Sequence, residues 1–427
     1  MSSDTNAGHP PGTGGPSAPA TAALGLAGLL SLSVAMGFGR FSFTPMLPLM
    51  IGDGQADIAS GGWIAAANYV GYLVGALTAG PLARHPLRMA RLALGLTVVT
   101  LAAMALPLGP WGWAAVRTLA GAASAWAFVA TSVWCLGALA QRSLAEGPHG
   151  WSSGFYAGVG IGIMLTGFYC MAAASAGVGA ASLWLQLALL GGLLIAPVMR
   201  VMRRLQAWQA SVAPSPSPGH RQPQIEPNPP ATAAAPRASA GLGSPRMRPL
   251  AVAYGLFGFG YILPATFLPA LARSLVPDPR LFGLAWPLWG LAALLSVLLA
   301  VWWLRHASRL RVWAVTQALM GVGALAPSLW LSGWTIALSA LLVGGTFMVM
   351  TLAAVQEARV RGGAAVLPRM TAAFALGQIV GPVLANGLGH LPGLDESTAM
   401  NLALQIAAAS LLGSAAWLAW EDRAHPD

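Results

Sequence analysis

Gly37-Phe38-Gly39-Arg40-Phe41-Ser42-Phe43-Thr44-Pro45-Met46-Leu47-Pro48 lies inside the first long apolar stretch of the chain. A permanent cation therefore sits in a run long enough to cross a bilayer. A central arginine costs roughly 2.5–3.5 kcal/mol on insertion scales, so it marks a site by default. The stretch returns 221 residues later as Gly258-Phe259-Gly260-Tyr261 and ends again in Leu-Pro, at Leu268-Pro269. In the second copy the place of Arg40 is taken by Tyr261.

The register holds beyond this segment. At the same offset Gly62 matches Gly283, Arg84 matches Arg305, His85 matches His306 and Arg88 matches Arg309. Two apolar spans and the basic loop after each pair repeat without a gap. Two parallel halves, related by an axis along the membrane normal, are implied.

Composition agrees. Of 427 residues 56% are hydrophobic and 8% charged, where soluble domains carry about 25% charged residues. The 52 Gly and 17 Trp suit close helix packing and interfacial anchoring in a bilayer. Stretches of about 20 apolar residues read as membrane helices. Twelve are expected, over 22–50, 60–82, 90–107, 112–139, 151–175, 181–200, 249–272, 282–304, 311–330, 334–357, 365–389 and 398–420. Pro45 and Pro48 are expected to kink the outer end of the first.

The fold class is thus all-α integral membrane, with two six-helix bundles at 21–200 and 249–421. Between them, 201–248 holds nine Pro from Pro214 to Pro245 and reads as a cytoplasmic linker. Residues 1–20 and 422–427 read as cytoplasmic tails. The first 20 residues contain no Lys or Arg, so they lack the positive region of a signal peptide.

All 22 basic residues are Arg. With the N-terminus inside, eighteen of the 22 fall in cytoplasmic loops and tails, and only Arg273 and Arg280 lie outside. This positive-inside bias places both termini in the cytoplasm of an inner membrane. It also explains the net charge of +10 without nucleic acid. Arg40 and Arg117 remain within spans. Cys135 and Cys170 also fall within spans, and the His are scattered, so neither a disulfide framework nor a metal site is expected. No cofactor is implied. Without Lys there is no Gly-x-x-x-x-Gly-Lys-Ser/Thr loop, which excludes a primary pump of that kind.

Several residues are candidates for a substrate site. Arg40 either faces a cavity and binds an anionic group through its fork, or bonds carbonyls around Gly37, Gly39 and the prolines. Arg117 either supplies a cavity cation or snorkels to the outer headgroups. Asn68 and Tyr72 share a face of the second span; they line the cavity or hold helices together. Tyr69 lies near them. Tyr261 offers a hydroxyl or ring, or packs. Gln378 is the best polar candidate on the eleventh span, where Gly381-Pro382 is expected to bend the helix. Trp286 and Trp289 read as packing or interface residues. No Asp, Glu or His lies near the middle of any span. Two intramembrane arginines without a carboxylate favour an anionic solute, unless water screens them and the solute is neutral.

The segments GFGRFSFTPMLPLM at 37–50, NYVGYLVGAL at 68–77, RTLAGAASA at 117–125 and GQIVGP at 377–382 resemble the major facilitator superfamily, and within it the YbfB/YjiJ-type branch. The resemblance covers nearly all of 21–421. It implies two bundles around a central cavity opened to each side in turn. Helices 1, 4, 7 and 10 would line the cavity, and 3, 6, 9 and 12 would face lipid. Arg117-x-x-x-Gly121 fits the family's fourth-helix pattern, whose arginine is linked to coupling. The loop after span 2 would form part of the inner gate through Arg84 and Arg88. Here Arg84 stands where the family places Asp, and span 5 lacks the antiporter Gly-Pro.

The expected function is a secondary active transporter of a small organic solute, anionic on the reading of Arg40. It would work as a monomer, by alternating access. An exporter of drugs or neutral metabolites is the alternative. A non-transporting sensor on a carrier fold is the rival from another class, and would need an output domain. An enzyme would need a nucleophile, acid–base pair or metal in the loops, and the sequence offers none.

Overall fold

A computed structural model describes residues 17–82, 84–146, 154–212, 247–275, 283–362 and 366–424. In chain order the helices are α1 Thr21–Gly52, α2 Ile58–Leu82, α3 Pro86–Ala103, α4 Gly109–Glu146, α5 Ala157–Ser175 and α6 Ala180–Val212. The second set is α7 Met247–Leu275, α8 Ala285–His306, α9 Arg309–Leu329, α10 Gly333–Gly362, α11 Leu367–Gly389 and α12 Glu396–Ala424. They coincide with the twelve expected spans. Ten of them are long and apolar enough to cross a membrane on that ground alone. The other two are α2, which carries Asn68 and two Tyr, and α8, of which Ala285–Ala300 counts as an apolar helix among the described residues.

The ends differ from expectation in places. Helix α6 runs on to Val212, well into the stretch read as linker. Its extension has an apolar face, with Met202 and Leu205 buried, and no proline until Pro214. Residues 213–246, and so most of the linker, lie outside the described residues, as do 1–16 and 425–427. Pro19 and Ala18 are held by the Arg142 guanidinium, which donates to their carbonyls at 2.7 and 2.9 Å.

Among the described residues, the loops on the face where α1 ends are short. Gly54 after α1 and Gly177 after α5 take φ of 69° and 72°, a region open to glycine at little cost. Asp53 at the end of α1 accepts from the Ala180 N–H at 2.7 Å. That carboxylate caps α6, satisfying one of its unpaired amides.

Small residues set the helix crossings. In the first half, Gly71 and Gly75 of α2 lie against the Thr118 and Ala122 backbone of α4, and Gly121 lies against the Asn68 carbonyl. Between the halves, Gly160 of α5 meets Gly290 of α8, and Gly62 of α2 meets Asn386 of α11. Without a hydrophobic force between helices in lipid, such close backbone contact is what holds them. Leu92 and Val99 of α3, Leu185, Leu189 and Leu193 of α6, and Leu319 and Val322 of α9 point outward and are exposed, as lipid-facing side chains are.

Candidate substrate site

The middle of α1 is not α-helical. Residues Ser33–Arg40 form a π-helical stretch, and Phe41 N–H bonds back to the Met36 carbonyl at 2.9 Å. The break at Phe41–Ser42 falls one turn before Pro45. A proline lacks the N–H for the carbonyl four residues earlier and its ring crowds that carbonyl. The interruption lies at Arg40–Ser42, ahead of the outer end where Pro45 and Pro48 are expected to kink the helix, and Pro48 itself sits within α-helix. Gly37 packs so closely on Gly162 that a Cβ would overlap backbone. Ser33 donates to the Gly158 carbonyl at 2.8 Å, fixing α1 to α5. Wide turns of this kind concentrate at functional sites.

Arg117 of α4 supports the break. Its Nη1 donates to the Gly39 carbonyl at 2.8 Å and its Nη2 to the Arg40 carbonyl at 2.7 Å. Only 3% of the residue is exposed, so it does not snorkel. The backbone bonding considered for Arg40 is carried out by Arg117 instead. Asn68 donates to the Arg117 carbonyl at 3.0 Å, which makes it an interhelical tie between α2 and α4.

Arg40 is thereby held by its backbone while its side chain crosses to the second half. Nη2 donates to Gln378 Oε1 at 2.6 Å, and Gln378 Nε2 donates to the Tyr261 hydroxyl at 3.0 Å. The guanidinium lies 3.7 Å from the Tyr72 ring centre, with Phe41 and Tyr69 at 5.5 and 5.8 Å. Tyr69 reaches the Thr266 hydroxyl of α7 at 3.0 Å. Arg40, Tyr69, Tyr72, Tyr261 and Gln378 are all buried. Arg40 Nε and Nη1 have no hydrogen-bond partner, and among the described residues no carboxylate pairs with it.

An aromatic wall adjoins these donors. The Tyr261 ring lies nearly parallel to Phe374 and to Phe347, at 5.7 and 6.0 Å. Phe347 meets Phe41, which meets Trp286, which stacks on Trp289 at 5.5 Å. Trp286 is fully buried, and its indole N–H lacks an acceptor. Phe347 and Phe374 were not legible as site residues, since a Phe in a membrane span carries no signal of its own. Thr266 was likewise hidden.

The structure brings Arg40, Tyr72, Tyr261 and Gln378 together, with Asn68 and Arg117 behind them. Arg84 and Arg88 lie elsewhere. They are exposed at the start of α3, on the face where α1 begins and α12 ends.

Three hydrogen bonds join the halves among the described residues: Arg40–Gln378, Tyr69–Thr266, and Thr44 to the Ala265 carbonyl at 3.2 Å. All lie midway along the helices or toward the face away from the termini. Near the opposite face the second half is knit by ion pairs. Glu357, buried, is clasped by Arg309 at 2.8 Å and by Arg361, which also reaches Glu421 at 3.0 Å.

Twelve membrane helices in two repeated bundles, meeting at a buried cationic and aromatic site, define a secondary membrane transporter. A family model described as "Uncharacterised MFS-type transporter YbfB" matches residues 32–418. The chain belongs to that family of the major facilitator superfamily. The crystal structure of the nucleoside transporter NupG is similar in fold, with a TM-score of 0.65 at 14% identity, covering 93% of this chain and 98% of that one. An alanine variant of NupG gives a TM-score of 0.64 at 12% identity, covering 93% and 99%. No curated protein matches the sequence.

Proposed function

We propose that this transporter carries a small organic anion across the inner membrane by alternating access, with Arg40 as the anion's anchor. The observation that carries the reading is the set of unmatched donors. Two Arg40 nitrogens and the Trp286 N–H are buried without an acceptor. An unpaired buried donor costs about 1–3 kcal/mol, more when charged. A carboxylate or similar group would accept from the guanidinium fork, and the Tyr261–Phe347–Phe374 rings would flank a flat or apolar remainder. No intramembrane acid competes for the cation, so the solute itself supplies the negative charge.

On this reading the three bonds between the halves close the outer side. Outward opening would break them, and solute binding at Arg40 would compete directly with Gln378. Coupling then runs through the charge of the solute and the membrane potential.

A second reading, a neutral planar solute, draws on the nearly parallel rings at Tyr261 and on the fold shared with a nucleoside transporter. Uptake into proteoliposomes separates the two. Labelled carboxylates and neutral ring compounds are offered with and without a membrane potential. Saturable, potential-sensitive uptake of a carboxylate, lost in Arg40→Gln, is expected. Carboxylate uptake that survives Arg40→Gln unchanged would sink the proposal. Uptake of neutral rings alone would favour the second reading.

A further inference from the structure

The loop between α2 and α3 is repeated between α8 and α9, yet the two copies are treated oppositely. In the second copy Arg309, the counterpart of Arg88, meets a carboxylate, and so does Arg311. Arg309 pairs with Glu357 at 2.8 Å and Arg311 lies 3.7 Å from Asp422. In the first copy Arg84, His85, Arg88 and Arg91 line an open pocket of about 380 Å³ whose other walls come from α4 and α6. None of its lining residues is acidic, and Gln141, Gln206 and Gln209 stand among them. Arg84, Arg88 and Arg91 make no ion pair among the described residues.

Two further features point to an anion. Trp134 of α4 lines the pocket, is 4% exposed, and keeps an indole N–H with no acceptor. Helix α3 begins at Pro86 with no side chain capping its first amides, so the positive end of its dipole opens on the same space. The remaining wall is apolar, with Leu87, Val133 and Ala138, and Val133 and Leu92 nearby are exposed on the lipid side. A free inorganic anion would gain nothing from that wall. A molecule with a phosphate head and an acyl tail would use both.

We infer that the pocket formed by Arg84, Arg88, Arg91 and Trp134 binds the phosphate headgroup of an anionic phospholipid on the face that the arginine distribution assigns to the cytoplasm. The guanidinium groups take the phosphate oxygens as charge-assisted donors. The leaflet concentrates such lipids beside basic segments, each Lys or Arg contributing about 1 kcal/mol near the surface. In the second half, among the described residues, Glu357 and Asp422 already take that role for Arg309 and Arg311. The inference is independent of what occupies the site at Arg40.

The test uses the full-length protein in nanodiscs of pure phosphatidylcholine, or of phosphatidylcholine with phosphatidylglycerol. Melting temperature and lipid retention by native mass spectrometry are read. The double variant Arg84→Gln/Arg88→Gln is compared with Arg203→Gln/Arg204→Gln, which removes the same charge from an exposed part of α6 outside the pocket. Phosphatidylglycerol should raise the melting temperature of the parent and of the α6 control. In the pocket variant, retention of phosphatidylglycerol should fall at least about tenfold, a loss of roughly 1.4 kcal/mol, with no stabilisation by the lipid. Equal retention in the two variants would overturn the inference. So would equal stabilisation by inorganic phosphate in pure phosphatidylcholine, which would make the occupant a free ion. Because melting in pure phosphatidylcholine is recorded for every variant, a general folding defect is separated from loss of the lipid.

Discussion

Arg40 and Tyr261 hold the same place in the two halves of the repeat, and one side chain joins them. Gln378 accepts from Arg40 at 2.6 Å and donates to Tyr261 at 3.0 Å. The amide suits this bridge because it carries an acceptor and a donor on one rigid plane. A carboxylate there would neutralise Arg40 and leave no demand for a charged ligand.

Arg40→Met should separate function from stability. Removing a buried cation relieves a desolvation penalty of several kcal/mol, which offsets the loss of its Gln378 and Tyr72 contacts. The variant should melt at or above the parent temperature while uptake falls to background. Thermal melting in detergent and proteoliposome flux, measured on the same preparation, check this.

Tyr72 lies against the guanidinium through its ring face, 3.7 Å from the centroid. Tyr72→Phe keeps that face and should retain most uptake. Tyr72→Ala should weaken apparent affinity, since a desolvated cation–π contact contributes about 2 kcal/mol, or roughly thirtyfold in binding. A similar loss in both variants would show that the hydroxyl, not the ring, is what matters.

Gln378→Ala should loosen the outer side. It removes a hydrogen bond to a charged donor, a contact of about 1.5–3 kcal/mol. Asn386 lies near the outer end of α11 against Gly62, so a cysteine placed there reports opening to an impermeant maleimide. Both native thiols, Cys135 and Cys170, are buried, which keeps the background low. Labelling at the reporter should rise about tenfold in the Gln378→Ala background.

Gly37→Ala should be severe. Its added methyl would overlap the Gly162 backbone, and overpacking of this kind costs about 1–3 kcal/mol or more. Gly80→Ala serves as the control, since nothing lies within 4 Å of its added Cβ. Folded yield by size-exclusion fluorescence should drop for the first and not for the second.

Glu357→Gln should weaken the second half. Glu357 is buried between Arg309 and Arg361. Removing one partner of a buried ion pair typically costs about 3–5 kcal/mol; with both arginines partly exposed, roughly half of that is expected. A fall in melting temperature, with solute affinity unchanged, is the outcome to look for.

The twelve spans were legible because lipid demands long apolar helices, and the demand is written in composition. Arg40 was legible as a candidate for the converse reason, since a cation within a span calls for a site or a tie. Gln378 stood out as the best polar candidate of its span. What the sequence concealed lies in backbone geometry. Arg117 serves carbonyls freed by a break in another helix, and no spacing announces that partnership. The Tyr69–Thr266 contact joins residues 197 apart, so local pattern cannot reveal it. The helical continuation of α6 to Val212 was masked by its polar face, which resembles the start of a linker.

Thr44 donates to the carbonyl of Ala265, its own counterpart in the repeat. A position that meets its counterpart lies on the axis relating the halves. In an ancestor made of two separate identical six-helix chains, such a residue would have met itself. Arg40 lies one turn away, so two of these cations would have faced each other with no acid between them. Joining the halves into one polypeptide removed that constraint, allowing one copy to become Tyr261 while the other kept its charge. A cationic site with a single anchor is therefore open to a fused chain and closed to a symmetric pair.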